Sequence, residues 1–240
     1  MFGISSGFSG WWEDLLNLVF PRRQVCPLCG AVSTQEDICC CCRQTMAGKK
    51  IFFYPESEDY ERCFILACSA GSYDGVLRQA IRRFKFGGQR YLARPLGNLL
   101  AEVVDGLVSL CRLQETCRPG EIAGLVPVPL ARSRLRKRGF NQSELLARQV
   151  SLILGLPLLP ILRKVRETPP QTGLPRKQRQ SNLKDAFGVY CSVLPVGRSI
   201  ILIDDVFTTG CTASECARTL LTAGIGRVYV ATVALARGKG

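Results

Sequence analysis

The chemistry of this chain concentrates in ILIDDVFTTGCTA, residues 201–213. Four apolar residues in a row, 200–203, suit a central strand buried on both faces, and Asp204 and Asp205 stand at its carboxyl end. Thr208, Thr209, Gly210 and Thr212 then lead into a helical pattern. Open α/β sheets bind ligands at the carboxyl ends of their strands. Backbone N–H groups of a loop that opens a helix carry partial positive charge and hold phosphate. Threonine hydroxyls add donors without adding charge, and glycine permits close backbone approach. Two adjacent carboxylates are wrong for phosphate but right for accepting hydrogen bonds from vicinal ribose hydroxyls. The segment therefore reads as a receptor for a 5-phosphorylated ribose, built from Asp204, Asp205, Val206, Phe207, Thr208, Thr209, Gly210, Cys211 and Thr212. A bare strand–turn–helix with Thr212 as N-cap would account for the threonine, but not for two acids placed where they repel each other. No Gly-Lys-Thr or Gly-Lys-Ser occurs, which excludes a Walker A loop.

A second chemistry lies upstream. Cys26-Pro-Leu-Cys29-Gly has the two-residue spacing that lets both thiolates face one metal ion, with a glycine to relieve the turn behind the second. The partner pair falls in the run Cys39-Cys40-Cys41-Cys42, where Cys39 and Cys42 repeat that spacing and Cys40 or Cys41 could substitute. With no histidine in the chain, the site must be all-thiolate. A redox dithiol would need only one such pair. Residues 24–48 hold few apolar residues other than cysteine, so structural zinc is the expected support. Four thiolates leave no open position for water, which excludes a catalytic role for that ion.

The absent histidine removes Ser-His-Asp and Cys-His catalysis as well. A formal net charge of +13 attracts anions, whether phosphorylated metabolites, nucleic acid or an acidic membrane, and charge alone does not choose among them. The excess gathers in three stretches: Arg78, Arg82, Arg83 and Lys85; Arg132, Arg134, Arg136, Lys137 and Arg138; and Arg163, Lys164, Arg166, Arg176, Lys177, Arg179 and Lys184. Some of these charges are expected to be ordinary solvated ones. No apolar run approaches the length of a membrane span, and the start of the chain lacks a basic leader. The odd count of 13 cysteines, several of them inside apolar segments, fits a reducing compartment, so a cytoplasmic protein is expected.

The elements that must position these groups alternate. The spacing predicts an amphipathic helix over 10–20, a cysteine-rich segment over 24–48 and a linker or extended arm over 49–62. A strand over 63–71 then leads to a helix from about 76 to 86 and a second over 90–110. A buried strand over 122–128 is followed by the basic stretch, a helix over 142–154 and a strand over 158–165. After a polar loop over 166–182 come the strand ending in the two acids, a turn over VFTTG, a helix and a last strand. Strands alternating with helices imply a mainly parallel sheet with helices on both faces.

IILIDDVFTTGCTA resembles the phosphoribosyl pyrophosphate (PRPP) motif of type I phosphoribosyltransferases. CPLCG, the cysteine run, VPVPL followed by RLRKRGFNQSELLA, and RETPPQTGL with RKQRQSNLKDAF together resemble the ComF family of ComFC-type competence proteins, from about residue 20 to 235. The resemblance implies an α/β type I phosphoribosyltransferase domain over 55–240 and an N-terminal helix and zinc-binding ribbon over 1–54. It implies PRPP as ligand, with Mg²⁺ held mainly by substrate oxygens, Asp204 and Asp205 as the catalytic acids, and Zn²⁺ on Cys26, Cys29, Cys39 and Cys42. It turns Arg132, Arg134, Arg138, Asn141 and Gln142 toward the diphosphate, and places Gln171, Arg179 and Asn182 on a loop that closes over the reacting centre. The activity implied is transfer of phosphoribosyl to an acceptor with release of pyrophosphate. The alternative is a non-catalytic competence factor that responds to PRPP or binds single-stranded DNA. Other competence proteins are the remaining partners implied, without stable membrane insertion.

Overall fold

A computed structural model describes residues 25–33, 38–46, 50–53, 63–113, 121–168, 181–191 and 193–236. The expected helix over 10–20 and the residues Gln171 and Arg179 lie outside the described residues. After helix α1 (Cys40–Met46) come strands β1 (Ile51–Phe53) and β2 (Ala67–Ser72), helix α2 (Gly75–Phe86), a 3-10 turn (Arg90–Leu92) and helix α3 (Ala93–Leu113). Strand β3 (Ile122–Pro127), helices α4 (Arg132–Arg138) and α5 (Gln142–Leu154), and strands β4 (Leu162–Lys164) and β5 (Phe187–Val189) follow. Strand β6 (Ser199–Phe207), helix α6 (Cys211–Thr222) and strand β7 (Arg227–Leu235) complete the order.

The main sheet has the order β1-β2-β7-β6-β3. β2, β7, β6 and β3 are parallel, and β1 adds an antiparallel edge. The sheet is thus mixed, with β6 between two parallel neighbours. Ile200, Ile201, Leu202 and Ile203 are all fully buried. Ile201 and Ile203 join the core under α2, α3 and α5, and Ile200 and Leu202 join the core under α6 and the β4–β5 pair. Such a continuous apolar run is what a strand covered on both faces requires.

Several boundaries differ from expectation for identifiable reasons. The first long strand begins at Ala67 and not at 63, although Ile65 already donates to the Val228 carbonyl of β7 at 2.9 Å. The segment 158–165 yields only three strand residues, paired with β5. Pro157 and Pro160 remove backbone donors there, and Leu158 makes just an isolated bridge to Leu125. The basic stretch after β3 is a helix and not an open loop: arginine, leucine and lysine are good helix formers, and Gly139 ends it with φ 78°. β6 runs through both acids to Phe207, because β7 continues beside it as far as Leu235. The cysteine-rich segment does not stand apart from the core, since Leu28 and Ile38 pack into the same cluster as α2 and α3. Among the described residues no helix is long and apolar enough to cross a membrane.

Candidate functional site

The two acids lie at the carboxyl end of β6 and have different neighbours. Asp204 is partly exposed, and its Oδ1 accepts from the Ser143 hydroxyl at 2.8 Å and from the Asp205 N–H at 2.9 Å. Asp205 is buried and pairs with Lys85, whose Nζ lies 2.9 Å from its Oδ1. Burial pushes the Asp204 carboxyl up to about 7, and repulsion from Asp205 adds to it, while Lys85, the Asp205 N–H and Ser143 pull it back. For Lys85, burial favours the neutral amine, but Asp205 and Asp204 outweigh it and hold the ammonium above the ordinary lysine range. The half-buried Lys85 ammonium offsets the repulsion between the two carboxylates.

Beyond Phe207 the chain turns through residues 208–210 into α6. Gly210 caps the helix with φ 79°, a left-handed value that a side chain rarely adopts, and an added Cβ would come within 2.8 Å of the Phe207 ring. Thr212 therefore sits inside the first turn and is not the cap. Thr208 is exposed, Thr209 and Thr212 are half-buried, and the Thr209 hydroxyl donates to Cys211 Sγ at 3.1 Å. A phosphate at such a helix start gains hydrogen bonds and a favourable dipole.

Helices α2 and α4 interlock beside this loop. Phe84 packs on Phe140 with ring centroids 5.5 Å apart, and Arg138 lies over the Phe86 ring at 5.2 Å. Arg90 donates to the Gly139 carbonyl at 2.6 Å and lies over Phe140 at 5.1 Å. Burial lowers the Arg138 pKa; Asp205 pulls it up and Arg134 adds to the lowering. Lys164 is brought down to about 8, first by burial and then by Arg134. Arg134 thus crowds both Lys164 and Arg138, and such a concentration of positive charge attracts an anion.

The other expected site residues divide. Arg134 and Arg138 are half-buried, with Arg138 in electrostatic reach of Asp205, whereas Arg132 is exposed. Asn141 is the N-cap of α5: its Oδ1 accepts from the Ser143 N–H at 3.2 Å and its Nδ2 donates to the Val128 carbonyl at 3.1 Å, so its side chain holds the start of α5. Gln142 is buried, and its Nε2 has no hydrogen-bond partner. Asn182 contributes its carbonyl to Arg166 at 3.1 Å. Sequence reasoning placed Lys85 in a basic stretch without giving it a site role, and passed over Ser143. For Lys85 the signal was its place next to Phe84, on the edge of the apolar stripe of Leu77, Ala80, Ile81 and Phe84. No local signal marked Ser143.

The cysteine cluster is a separate site. The sulfurs of Cys26, Cys29, Cys39 and Cys42 all lie within 4.8 Å of one another, and those of Cys29 and Cys39 are 3.7 Å apart. Tetrahedral zinc with sulfur at about 2.3 Å requires S···S separations near 3.8 Å, so the donor set fits that ion. The Cys39 N–H points at Cys26 Sγ and the Cys42 N–H at Cys39 Sγ, each at 3.4 Å, the hydrogen bonds that thiolates need. Burial alone would raise the Cys26 thiol, but backbone donors from Cys29, Cys39 and Leu28 hold it at about 6. Cys40 and Cys41 are exposed and outside the cluster.

No family model matches the chain. It is 36% identical over 163 residues to competence protein F of Haemophilus influenzae, covering 67% of this chain and 68% of that protein. It is 31% identical over 210 residues to the DNA utilization protein YhgH of Escherichia coli, across 87% of this chain and 82% of that one. It is 26% identical to competence protein ComFC of Bacillus subtilis, across 83% of this chain and 72% of that one. Among solved structures, an adenine phosphoribosyltransferase is similar at 14% identity over 79% of this chain and 88% of that one, with a TM-score of 0.36, too loose a likeness to show the fold.

Proposed function

The chain belongs to the family of competence protein F and the DNA utilization protein YhgH, and on that footing we propose that it is a PRPP-binding protein of the competence type that transfers phosphoribosyl to an acceptor. The observation that carries this reading is the junction of β6 and α6, where a doubly covered strand delivers Asp204 and Asp205 to the start of a glycine-capped helix lined with Thr208, Thr209 and Thr212. The 5-phosphate sits on the N–H groups that open α6, and the ribose hydroxyls face the acid pair. The diphosphate lies toward Arg134 and Arg138, with Mg²⁺ carried on its oxygens. In the reaction the bond from the anomeric carbon to the pyrophosphate oxygen breaks, pyrophosphate leaves with the electron pair, and the acceptor attacks the same carbon and loses its proton. Positioning and charge stabilisation supply the catalysis, so no histidine is needed. Cys26, Cys29, Cys39 and Cys42 hold one zinc ion in a structural role.

Calorimetric titration with PRPP and Mg²⁺ tests the reading. Wild-type protein is expected to bind, and Asp204→Asn/Asp205→Asn to lose binding while its circular dichroism stays the same. Unchanged affinity in the double variant overturns the reading. Pyrophosphate release in the presence of nucleobases, nucleotides or nucleic acid separates a transferase from a binder.

The names of the relatives, together with the basic helix α4, favour a second reading, a competence factor that binds single-stranded DNA. Each cation that neutralises a phosphate contributes about 0.7 to the log–log salt slope for a single strand. Binding that ignores salt would contradict it, and competition by PRPP would place both ligands on the same arginines.

A further inference from the structure

Lys85 reaches the acid pair from a helix end that is held on several sides. Its side chain is 21% exposed and that of Asp205 8%, with 2.9 Å between ammonium and carboxylate. The preceding residue, Phe84, is fully buried against Phe140, and the following one, Phe86, lies under the Arg138 guanidinium. Two residues before the lysine, Arg83 donates to the carbonyls of Pro27 and Leu28 at 2.5 and 2.6 Å. The lysine is therefore fixed by its backbone and by both neighbours, unlike a surface lysine free to choose its partner. Asp204, by contrast, has a hydroxyl and a backbone N–H for partners and keeps part of its surface open.

We propose that Lys85 is a positioning residue of the phosphoribose site: it neutralises and fixes Asp205, and so leaves Asp204 as the acid that receives the ribose hydroxyls. The inference rests on the PRPP reading and deepens it by making the two aspartates unequal. The physical reason is charge. A ligand with several phosphates cannot approach two bare carboxylates without repulsion, and one ammonium on the far acid removes half of it. The near acid keeps its open lone pairs for hydroxyl donors, oriented by Ser143.

The test is a set of single and double variants, each measured for PRPP·Mg²⁺ affinity by calorimetry and for thermal melting. Asp204→Asn is expected to lose binding without melting lower. Lys85→Met is expected to weaken binding at least about tenfold, the loss of one charge-assisted interaction, and Lys85→Arg to restore part of it. Lys85→Met leaves Asp205 buried without a partner and can fail to fold, so Lys85→Met/Asp205→Asn, which removes both charges, is the deciding variant. It is expected to melt higher and to bind PRPP more tightly than Lys85→Met alone. Wild-type binding that Lys85→Met retains in full overturns the inference alone, as does a double variant that binds no better than the single one. No binding by the wild-type protein overturns the PRPP reading and the inference with it.

Discussion

In the cysteine knuckle every donor comes from two short stretches between Cys26 and Cys42, whereas the acid loop draws its partners from far along the chain. Asp204 and Asp205 are adjacent, yet one is met by Ser143 at the start of α5 and the other by Lys85 at the end of α2. Four thiolates at the knuckle would need a cation to hold them together. The acid loop has its compensating ammonium supplied by α2. Helix α2 connects the two, with Arg83 on the knuckle carbonyls and Lys85 on Asp205. The difference teaches where each region is vulnerable: the knuckle at the proposed zinc ion, and the acid loop at its packing.

Metal loss tests this contrast most severely. Structural zinc supplies about 10–16 kcal/mol of apparent binding energy in isolated fingers. Chelation, or Cys26→Ser, is expected to release one zinc per chain and to abolish hydrogen-exchange protection over residues 25–46. Protection over 199–235 should persist, because Ile200 and Leu202 are seated in the core under α6 and the β4–β5 pair, which includes no knuckle residue. Loss of protection in both regions at once would erase the distinction. Cys40→Ser and Cys41→Ser should keep full metal content, since both thiols lie outside the cluster.

A smaller effect is expected from pH. The Asp204 carboxyl is raised from 3.8 to about 7 in the folded protein. Between those values the folded state binds more protons than the unfolded one, so this group makes stability fall as pH rises from about 4 to about 7 and adds nothing further above that. Asp204→Asn should therefore flatten the stability profile in that window, measured by urea unfolding at stepped pH, and should be the more stable protein above it. PRPP affinity should run the opposite way, rising through about 7 as the carboxylate forms. A wild-type profile that Asp204→Asn reproduces would assign the titration to another group.

Next comes the connection itself. Arg83→Met removes two hydrogen bonds from a charged donor, worth about 1.5–3 kcal/mol, and should lower stability in urea unfolding. PRPP affinity should hardly move, because Leu77, Ala80, Ile81 and Phe84 still seat α2. A large loss of affinity would make the knuckle part of the ligand site. The smallest effect is expected at Ser133, whose N–H and hydroxyl meet the Glu167 carboxylate at 3.0 and 2.7 Å in an exposed contact. Ser133→Ala should leave the melting temperature unmoved.

The sequence by itself determined the parts whose chemistry is local. A run of four apolar residues, two acids and Thr-Thr-Gly can be read as a strand, a rim and a helix start without knowing what lies beside them. The paired cysteine spacing likewise names Cys26 and Cys29, because residues three apart at a turn reach one point in space, while the structure chose Cys39 and Cys42 over Cys40 and Cys41. Glycine at 210 was legible as a backbone requirement, and the apolar periods placed α2, α3, α5 and α6 within a few residues. Tertiary structure alone decided the rest. β6 continues through Asp204 and Asp205 only because β7 runs beside it to Leu235. The segment 158–165 shrank to three residues because its one partner, β5, comes from beyond the polar loop. Lys85 carries the same charge as Arg78 and Arg82; it became a half-buried counter-ion because Phe84 and Phe86 seat the end of α2 against Phe140 and Arg138. A charge is solvated or paired according to what the fold sets opposite it, and that partner lies outside any local window of sequence.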